Sequence, residues 1–205
     1  MERDIFTVIE GSKALQLLKE GNRRFMDGKL THKPDYSVER AGLLEKGQRP
    51  MAVIFSCSDS RVPPELVFDV GIGEIFVVRT AGNVSDSIAI GSVEFAVSQF
   101  KAGLVVVMGH GRCGAVAGAI AGADFGPNIG AIINEILPSL EKVRNAGVED
   151  LQCSCENECI MNTVSKLNGS PILSQFVREN KLLIVGAKYD LATGEADFNF
   201  LEKKV

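Results

Sequence analysis

The chain has 205 residues, 45% of them hydrophobic, and its 22 basic and 26 acidic residues give a net charge of −4. This length and composition allow one sizeable hydrophobic core, so we expect a single domain. No basic cluster is denser than a Lys–Lys or Arg–Arg pair, which argues against a nucleic-acid partner. The longest apolar runs have the length of strands, which argues against a membrane span.

The five cysteines bear on the compartment in which the protein works. An odd number of cysteines, with no export signal visible in the sequence, is typical of a reducing environment in which thiols are free or bound to metal. We therefore expect a cytoplasmic protein.

The first 50 residues are predicted to form a polar helical arm. Ser12 is a candidate N-cap for a helix with apolar residues at helical spacing. A loop around His32, expected to be exposed, interrupts the pattern, and a second short helix is predicted from Ser37 to Lys46. We therefore divide one domain into an arm, residues 1–50, and a catalytic body, residues 51–205. The arm has few apolar residues, so we expect it to pack on the body or on a partner subunit.

Short apolar runs alternate with helical patterns from residue 51 onward. The runs are almost continuously apolar, which is typical of strands buried on both faces of a parallel sheet, and they cover residues 51–56, 75–78, 104–108 and 182–185. Helices are predicted at 85–101, 112–122, 127–145, 155–168 and 171–180, and a last edge strand at 195–200. The alternation predicts an α/β fold with a central, mostly parallel sheet of about four parallel strands and an antiparallel edge strand, flanked by helices.

Two of the predicted strands run into residues that can bind a metal. The first is followed by Cys57, and the third by His110 and Cys113. Ligands bind at the carboxyl ends of parallel strands, and neighbouring strands bring these ends together. Each residue alone has an ordinary interpretation, as a small buried hydrophobe or a hydrogen-bonded histidine. The coincidence of Cys at one strand end with His-x-x-Cys at another favours a metal site.

Two thiolates and one imidazole form a ligand set that suits Zn²⁺. Three protein ligands leave one tetrahedral position open, which is typical of a catalytic rather than a structural site. Zinc bound there would lower the pKa of a coordinated water, so that hydroxide is available near neutral pH. The residues therefore predict one zinc ion per subunit.

Asp59 and Arg61 follow Cys57 by two and four residues. An arginine that binds a carboxylate with two hydrogen bonds keeps it ionised and holds it in place. Our hypothesis is that Arg61 orients Asp59, which accepts the proton of the zinc-bound water. The alternative is a structural ion pair that closes a turn.

The segment from Gly109 to Gly114 also matches G-x-G-x-x-G, after an apolar strand and before a helix of small residues. A dinucleotide-binding protein is therefore an alternative. That fingerprint normally lies in a first βα unit, with an acidic residue at the end of the next strand about 20 residues later. Here the nearest candidate, Glu135, falls in a predicted helix, and strands precede the motif. His and Cys at the variable positions have no purpose for a pyrophosphate, so we favour the metal site.

These segments resemble the β-class carbonic anhydrases, and the similarity spans most of the chain. The matching motifs are Cys57 to Val62, Ala81 to Asn83, Gly109 to Gly114 and Leu183 to Asp190. The resemblance implies a zinc lyase, a carbonate dehydratase, which hydrates carbon dioxide reversibly to bicarbonate and a proton by zinc-bound hydroxide. It also implies that zinc is bound by Cys57, His110 and Cys113, and that the catalytic dyad is Asp59 and Arg61.

The resemblance further implies a substrate pocket. Gln48 matches the glutamine that hydrogen-bonds substrate in the plant-like subset, and Phe76 matches an apolar pocket residue. Phe95 stands where many plant-like members carry a tyrosine, so the pocket wall lacks a phenolic hydroxyl. Gly114, directly after the last zinc ligand, is also assigned to the substrate pocket.

Assembly and the open zinc position follow from the same resemblance. Members of the family are homodimers or higher homo-oligomers, with the arm over the partner and part of each pocket, including the glutamine, supplied by the neighbouring subunit. One subset closes its zinc with the aspartate and uses a tryptophan to bind bicarbonate at a second site. This chain has Gln48 and no tryptophan, so we expect water on zinc rather than Asp59.

Two other functions are alternatives to carbon dioxide hydration. A hydrolase for carbonyl sulfide or carbon disulfide would need only a drier, narrower entrance on the same fold. The intact motifs at Ser58 to Arg61 and Ala81 to Asn83 look more like those of ordinary anhydrases. A binding module without activity is the third hypothesis, and the complete set of metal ligands argues against it.

Three further cysteines, Cys153, Cys155 and Cys159, form a C-x-C-x₃-C pattern. Cys155 and Cys159 would share one face of a helix. A second metal site or a redox switch is conceivable. However, no histidine is near in sequence, and three thiolates without a fourth ligand would be unusual for structural zinc, so packing is favoured.

Overall fold

The apolar runs of the sequence form the strands at the centre of the computed structural model, which describes residues 8–31, 36–122 and 124–201. The strands are β1 (Ala52–Cys57), β2 (Ile75–Thr80), β3 (Leu104–His110), β4 (Leu183–Tyr189) and β5 (Ala196–Asp197). They pair in the order β2-β1-β3-β4-β5, with β1 to β4 parallel and β5 antiparallel to β4. The predicted fold class, including the antiparallel edge strand, is confirmed.

The central strands β1 and β3 are buried along their whole length because helices cover both faces of the sheet. Alternate residues enter two separate apolar clusters. Ile54 and Met108 point to the face covered by α1 and α3, and Phe55 and Val107 to the face covered by α4, α7 and α8. These helices are bounded as α1 (Gly11–Met26), α3 (Pro64–Val67), α4 (Ser87–Phe100), α7 (Leu151–Gly169) and α8 (Pro171–Arg178).

The remaining helical elements are α2 (Ser37–Lys46), α5 (Gly114–Ala121), α6 (Gly126–Asn145) and a 3₁₀ turn at Ala81–Asn83. The predicted helices are present, but the sequence patterns did not reveal α3 or the 3₁₀ turn. The predicted start of α7 at residue 155 is wrong. Asp150 caps the helix by accepting the N–H of Cys153 (2.9 Å), so that it begins at Leu151.

Among the described residues, no single helix is long and apolar enough to span a membrane. Helices α5 and α6 meet the length and hydropathy criteria only as a pair, and they bend by 95°.

The arm contacts the body through one face of α1, where Ala14 and Leu18 are fully buried in the cluster beneath β1 and β3. The prediction of Ser12 as N-cap is wrong. The helix begins at Gly11 with Glu10 as its N-cap residue, and Gly11 lies so close to the Gly103 carbonyl that a Cβ there would clash. The loop around His32 lies outside the described residues, and the division of the chain at residue 50 stays a prediction.

A buried asparagine on α1 fastens the arm to the body. Asn22 donates hydrogen bonds to the carbonyls of Val67 (3.1 Å) and Gly194 (2.8 Å), and its own oxygen accepts the N–H of Ala196 (2.9 Å). One side chain therefore joins α1 to α3 and to the turn before β5.

Replacing Asn22 with alanine should lower the free energy of unfolding by about 2–3 kcal/mol, because it leaves buried backbone groups without a partner. Urea unfolding of the purified protein measures this. Gln16→Ala, on the exposed face of the same helix, is the matched control and should change the value by less than about 0.5 kcal/mol. A similarly small effect for Asn22→Ala would contradict the role given to this side chain.

Candidate metal centre

The sheet brings three potential metal ligands to one point. Cys57 ends β1 and His110 ends β3, and these strands are neighbours with Ser56 opposite Met108. Cys113 follows the turn after β3 and is the N-cap residue of α5. The ligand atoms of the three residues all lie within 4.8 Å of one another, and all three side chains are buried. The predicted strand ends therefore converge within a single chain.

The tautomer of His110 leaves one ring nitrogen ready to bind a cation. Nδ1 lies 2.9 Å from the carbonyl oxygen of Gly111. A carbonyl can only accept a hydrogen bond, so Nδ1 carries the proton and Nε2 carries the lone pair. Nε2 is buried and has no hydrogen-bond partner among the described residues. A buried acceptor without a partner is unfavourable, and a metal ion beside the two thiols would satisfy it.

The two thiols interact with each other, and each shifts the pKa of the other. A hydrogen bond from Cys113, aided by the backbone N–H groups of Asp59 and Gly82, holds the pKa of Cys57 well below its usual range, although burial opposes the shift. The same contact with the Cys57 thiolate, together with burial, raises the pKa of Cys113. A cation between the two sulfurs would favour the thiolate form of both. Two sulfurs and one imidazole nitrogen are a donor set for zinc, so the residues present fit that ion.

A 3₁₀ turn explains one of the sequence motifs that carry the resemblance. Gly82, in Ala81–Asn83, has a φ of 68° and donates its N–H to the sulfur of Cys57 (3.3 Å). A Cβ at Gly82 would lie 3.0 Å from the Cβ of Ala115, in the first turn of α5. Glycine therefore allows both the positive φ and the close approach to the metal loop.

Asp59 and Arg61 form the predicted pair beside the triad. Arg61 donates Nε to Oδ1 (2.9 Å) and a guanidinium N–H to Oδ2 (2.7 Å), and its backbone N–H also reaches Oδ1 (2.9 Å). These hydrogen bonds hold the pKa of Asp59 well below its usual range. Oδ2 lies 3.8 Å from Nε2 of His110, so the carboxylate faces the same point as the ligands.

The sequence reasoning missed Arg79, which fastens the segment after β1. Its Nε donates to the carbonyl of Cys57 (3.0 Å) and its guanidinium to the carbonyl of Asp59 (2.7 Å). The available signal was a charged residue within an otherwise mostly apolar strand, β2, opposite Ser56. Arg79 thus fixes the backbone that carries both Cys57 of the triad and Asp59.

The four predicted pocket residues are placed differently from one another. Gly114 begins α5 directly after Cys113. Gln48 is exposed and precedes β1, at the end of that strand opposite to Cys57. Phe76 lies opposite Val53, near the start of β1. Phe95 is exposed on α4 and packs edge to face on Phe100, with 5.4 Å between ring centroids. Within one chain, only Gly114 lies beside the triad.

The other cysteines occupy α7. Cys155 and Cys159 are buried in the apolar cluster that also holds Cys57 and Cys113. Cys153 is partly exposed, and its sulfur lies 3.1 Å from Nζ of Lys188. Within the described residues, these three thiols do not form a metal-binding group of their own.

The fold and the site together define a class of protein. A buried Cys–His–Cys triad at the carboxyl edge of a parallel sheet, with an ionised carboxylate facing it, is a catalytic zinc centre. A family model described as carbonic anhydrase matches residues 52–196. The chain is 40% identical over 189 residues to a carbonic anhydrase of Mycolicibacterium smegmatis, covering 90% of this chain and 91% of the relative. It is 41% identical over 188 residues to carbonic anhydrase 2 of Mycobacterium tuberculosis, covering 89% and 90%.

Solved structures agree on the fold. A tetrameric β-carbonic anhydrase of Sordaria macrospora aligns with a TM-score of 0.70 at 22% identity, over 90% of this chain and 96% of that one. The Coccomyxa β-carbonic anhydrase in complex with acetazolamide aligns with a TM-score of 0.68 at 24% identity, over 90% and 86%. The chain belongs to the carbonic anhydrase family and has the fold of its β class. It is a zinc-dependent carbonate dehydratase, and the dinucleotide-binding alternative is set aside.

Replacing Cys57 with alanine should weaken zinc binding by more than about 100-fold, since a lost ligand should cost more than a lost outer-shell partner. Elemental analysis after dialysis against a chelator should show about one zinc per chain in the parent protein and almost none in the variant. Cys153→Ala, outside the triad, should retain its zinc. Full zinc content in Cys57→Ala would show that this ligand is wrongly assigned.

Proposed function

We propose that Cys57, His110 and Cys113 hold the zinc ion of this carbonic anhydrase. We also propose that Asp59 accepts a proton during hydration of carbon dioxide and that Arg61 orients Asp59. The observation that carries the proposal is the buried Nε2 of His110. It has its lone pair free, lies with the two sulfurs within 4.8 Å, and faces Asp59 at 3.8 Å.

When bound, zinc acidifies a water molecule and so makes hydroxide available as the nucleophile for carbon dioxide near neutral pH. Asp59 accepts the proton at Oδ2, the oxygen that lies 3.8 Å from His110. Arg61 keeps the carboxylate ionised and fixes its direction through two parallel hydrogen bonds. Asp59 is partly exposed, so the proton can pass on to buffer. Because Arg61 engages both carboxylate oxygens, Asp59 would stay with Arg61 rather than bind the metal, which would keep water as a ligand.

Asp59→Asn should lower kcat/KM for carbon dioxide hydration by about 100-fold or more, because the amide cannot accept the proton. Zinc content should stay near one per chain. Stopped-flow hydration with a pH indicator measures the rate, and Asp27→Asn, exposed at the end of α1, is the control.

The same preparation tests the whole proposal. The parent protein should hydrate carbon dioxide and leave carbon disulfide intact. Zinc-loaded protein that hydrolyses carbon disulfide and does not hydrate carbon dioxide would overturn it. Full activity in Asp59→Asn would remove Asp59 from its role.

We also propose that the chain works as a homodimer or a higher homo-oligomer, in which a second copy completes the pocket. The helix α2 buries no side chain, and Val38 and Leu44 are 80% and 89% exposed. On α4, Ile88 is 79% exposed and Phe95 is 53% exposed. Large exposed apolar side chains grouped on helices are typical of subunit interfaces. The placement of Gln48 far along β1 from Cys57 also supports a pocket built from two chains, with Gln48, Phe76 and Phe95 from the partner.

Ile88→Asp should therefore shift the protein toward the monomer and reduce hydration activity at least about tenfold, because a charge buried in an interface is costly. Analytical ultracentrifugation measures the assembly, and circular dichroism monitors the fold. Ile172→Asp, an exposed apolar position on α8, should leave both assembly and activity unchanged. A fully active monomer would contradict the two-chain pocket.

A cytoplasmic location is a further part of the proposal. All five cysteines are free, and four of them are buried, which suits a reducing compartment. Cell fractionation should recover the protein with soluble cytoplasmic markers, and recovery outside the cell would contradict the location.

A further inference from the structure

A buried ion pair lies against the loop that carries two of the metal ligands. Glu156, on α7, places Oε2 3.2 Å from Nζ of Lys188, on β4, and the two side chains are 3% and 16% exposed. The other carboxylate oxygen, Oε1, accepts the backbone N–H of Cys113 at 3.0 Å. The pair thus joins α7 and β4 to the metal loop.

The metal loop depends on bonds from outside itself. After His110 the chain turns through Arg112, whose φ of 57° lies in the left-handed region, and reaches Cys113 at the start of α5. The N–H groups of such a turn have no partner within a strand or helix and must find one elsewhere. Gly111 donates to the carbonyl of Tyr189 (3.1 Å), and Cys113 donates to Glu156. The second bond fixes the backbone from which the sulfur of Cys113 projects.

The carboxylate of Glu156 is itself held in a single orientation. Gln152 donates to Oε1 (3.1 Å), and Lys188 binds Oε2. Lys188 is anchored in turn, because its ammonium also donates to the carbonyl of Cys153 (3.3 Å). These partners leave the carboxylate little freedom to rotate away from Cys113.

A buried ion pair contributes little net stability to the contact between two elements, because both charges lose their hydration. Well-packed apolar residues of similar volume usually stabilise a fold as well as a buried ion pair or better. What the carboxylate adds is a strong, charge-assisted hydrogen bond to one particular N–H. Groups that orient a metal ligand in this way typically affect metal affinity as well as stability.

We propose that Glu156, held by Lys188, is a positioning residue that fixes the loop of Cys113 and so sets the direction of its sulfur toward the metal. This inference rests on the proposed role of Cys113 as a zinc ligand. Glu156 touches no reacting atom, and it acts only through the backbone of Cys113.

The test compares two double variants that differ in the acceptor alone. Glu156→Met with Lys188→Met replaces the pair with apolar side chains of similar volume. Glu156→Gln with Lys188→Met returns an uncharged oxygen that can accept the N–H of Cys113. The dissociation constant for zinc should rise about 10–100-fold in the first variant and stay within about threefold of the parent in the second. The cobalt-substituted first variant should also show altered sulfur-to-metal charge-transfer bands.

Two controls separate this inference from the proposed function. Glu158→Ala breaks the exposed pair with Lys142 (2.6 Å) on the same helix and should leave zinc affinity unchanged. Cys113→Ala should lose zinc; if it retains zinc, the ligand assignment is wrong.

The inference itself fails if Cys113→Ala loses zinc while the Met/Met variant keeps the parent affinity and cobalt spectrum. It also fails if both double variants lose unfolding stability equally without a difference in zinc affinity, since that result describes a purely structural pair. Glu156→Leu with Lys188→Met supplies a second apolar packing if the first variant does not fold.

Discussion

The parallel pairing of β1 with β3 is the constraint on which the site depends. Ser56 lies opposite Met108, so Cys57 and His110 leave the sheet side by side although they are far apart in the chain. Side chains alternate between faces, and a slip of one residue would turn every buried residue of a strand to the opposite face. Because both strands pack against apolar clusters on both faces, such a slip would disrupt two cores. The hydrophobic core thereby fixes the geometry of the metal ligands.

Each of the two carboxylates around the triad is paired with a basic side chain, whereas the triad itself could take up a cation. Arg61 neutralises Asp59, and Lys188 neutralises Glu156. The thiolate of Cys57 is stabilised by hydrogen bonds from Cys113 and the backbone, and it raises the pKa of His110 despite the opposing effect of burial. Zinc would supply a positive charge to two thiolates at once. The surrounding ion pairs keep the other carboxylates from competing for the metal.

The sheet and the triad could be predicted because their signals are local. Continuous apolar runs mark buried strands, and cysteine and histidine at strand ends are rare enough to stand out. Glu156 could not be found in this way, because it acts on a residue 43 positions away, whereas Arg79 left only the weak signal of one charge in a mostly apolar strand. The start of α1 was missed because its N-cap residue, Glu10, makes no side-chain capping hydrogen bond and so leaves no capping signal in the sequence. The distance of Gln48 from Cys57 depends on where β1 begins and ends, and under the proposed assembly Gln48 would serve the pocket of the partner chain.

The separation of Gln48 from Cys57 by the length of β1 has a consequence for the proposed assembly. In a symmetric dimer the same surface faces itself, so a residue that one copy gives to its partner is received in return. Exposed apolar side chains of α2 precede Gln48 in the sequence, and Phe95 is one of the exposed apolar side chains of α4. Burial of this surface between two copies would therefore complete both pockets at once. In the proposed assembly, metal binding and proton acceptance would depend on residues within each chain, whereas the substrate pocket would depend on both chains. Dissociation should thus spare zinc content while removing substrate binding, which sets an assembly defect apart from a ligand defect.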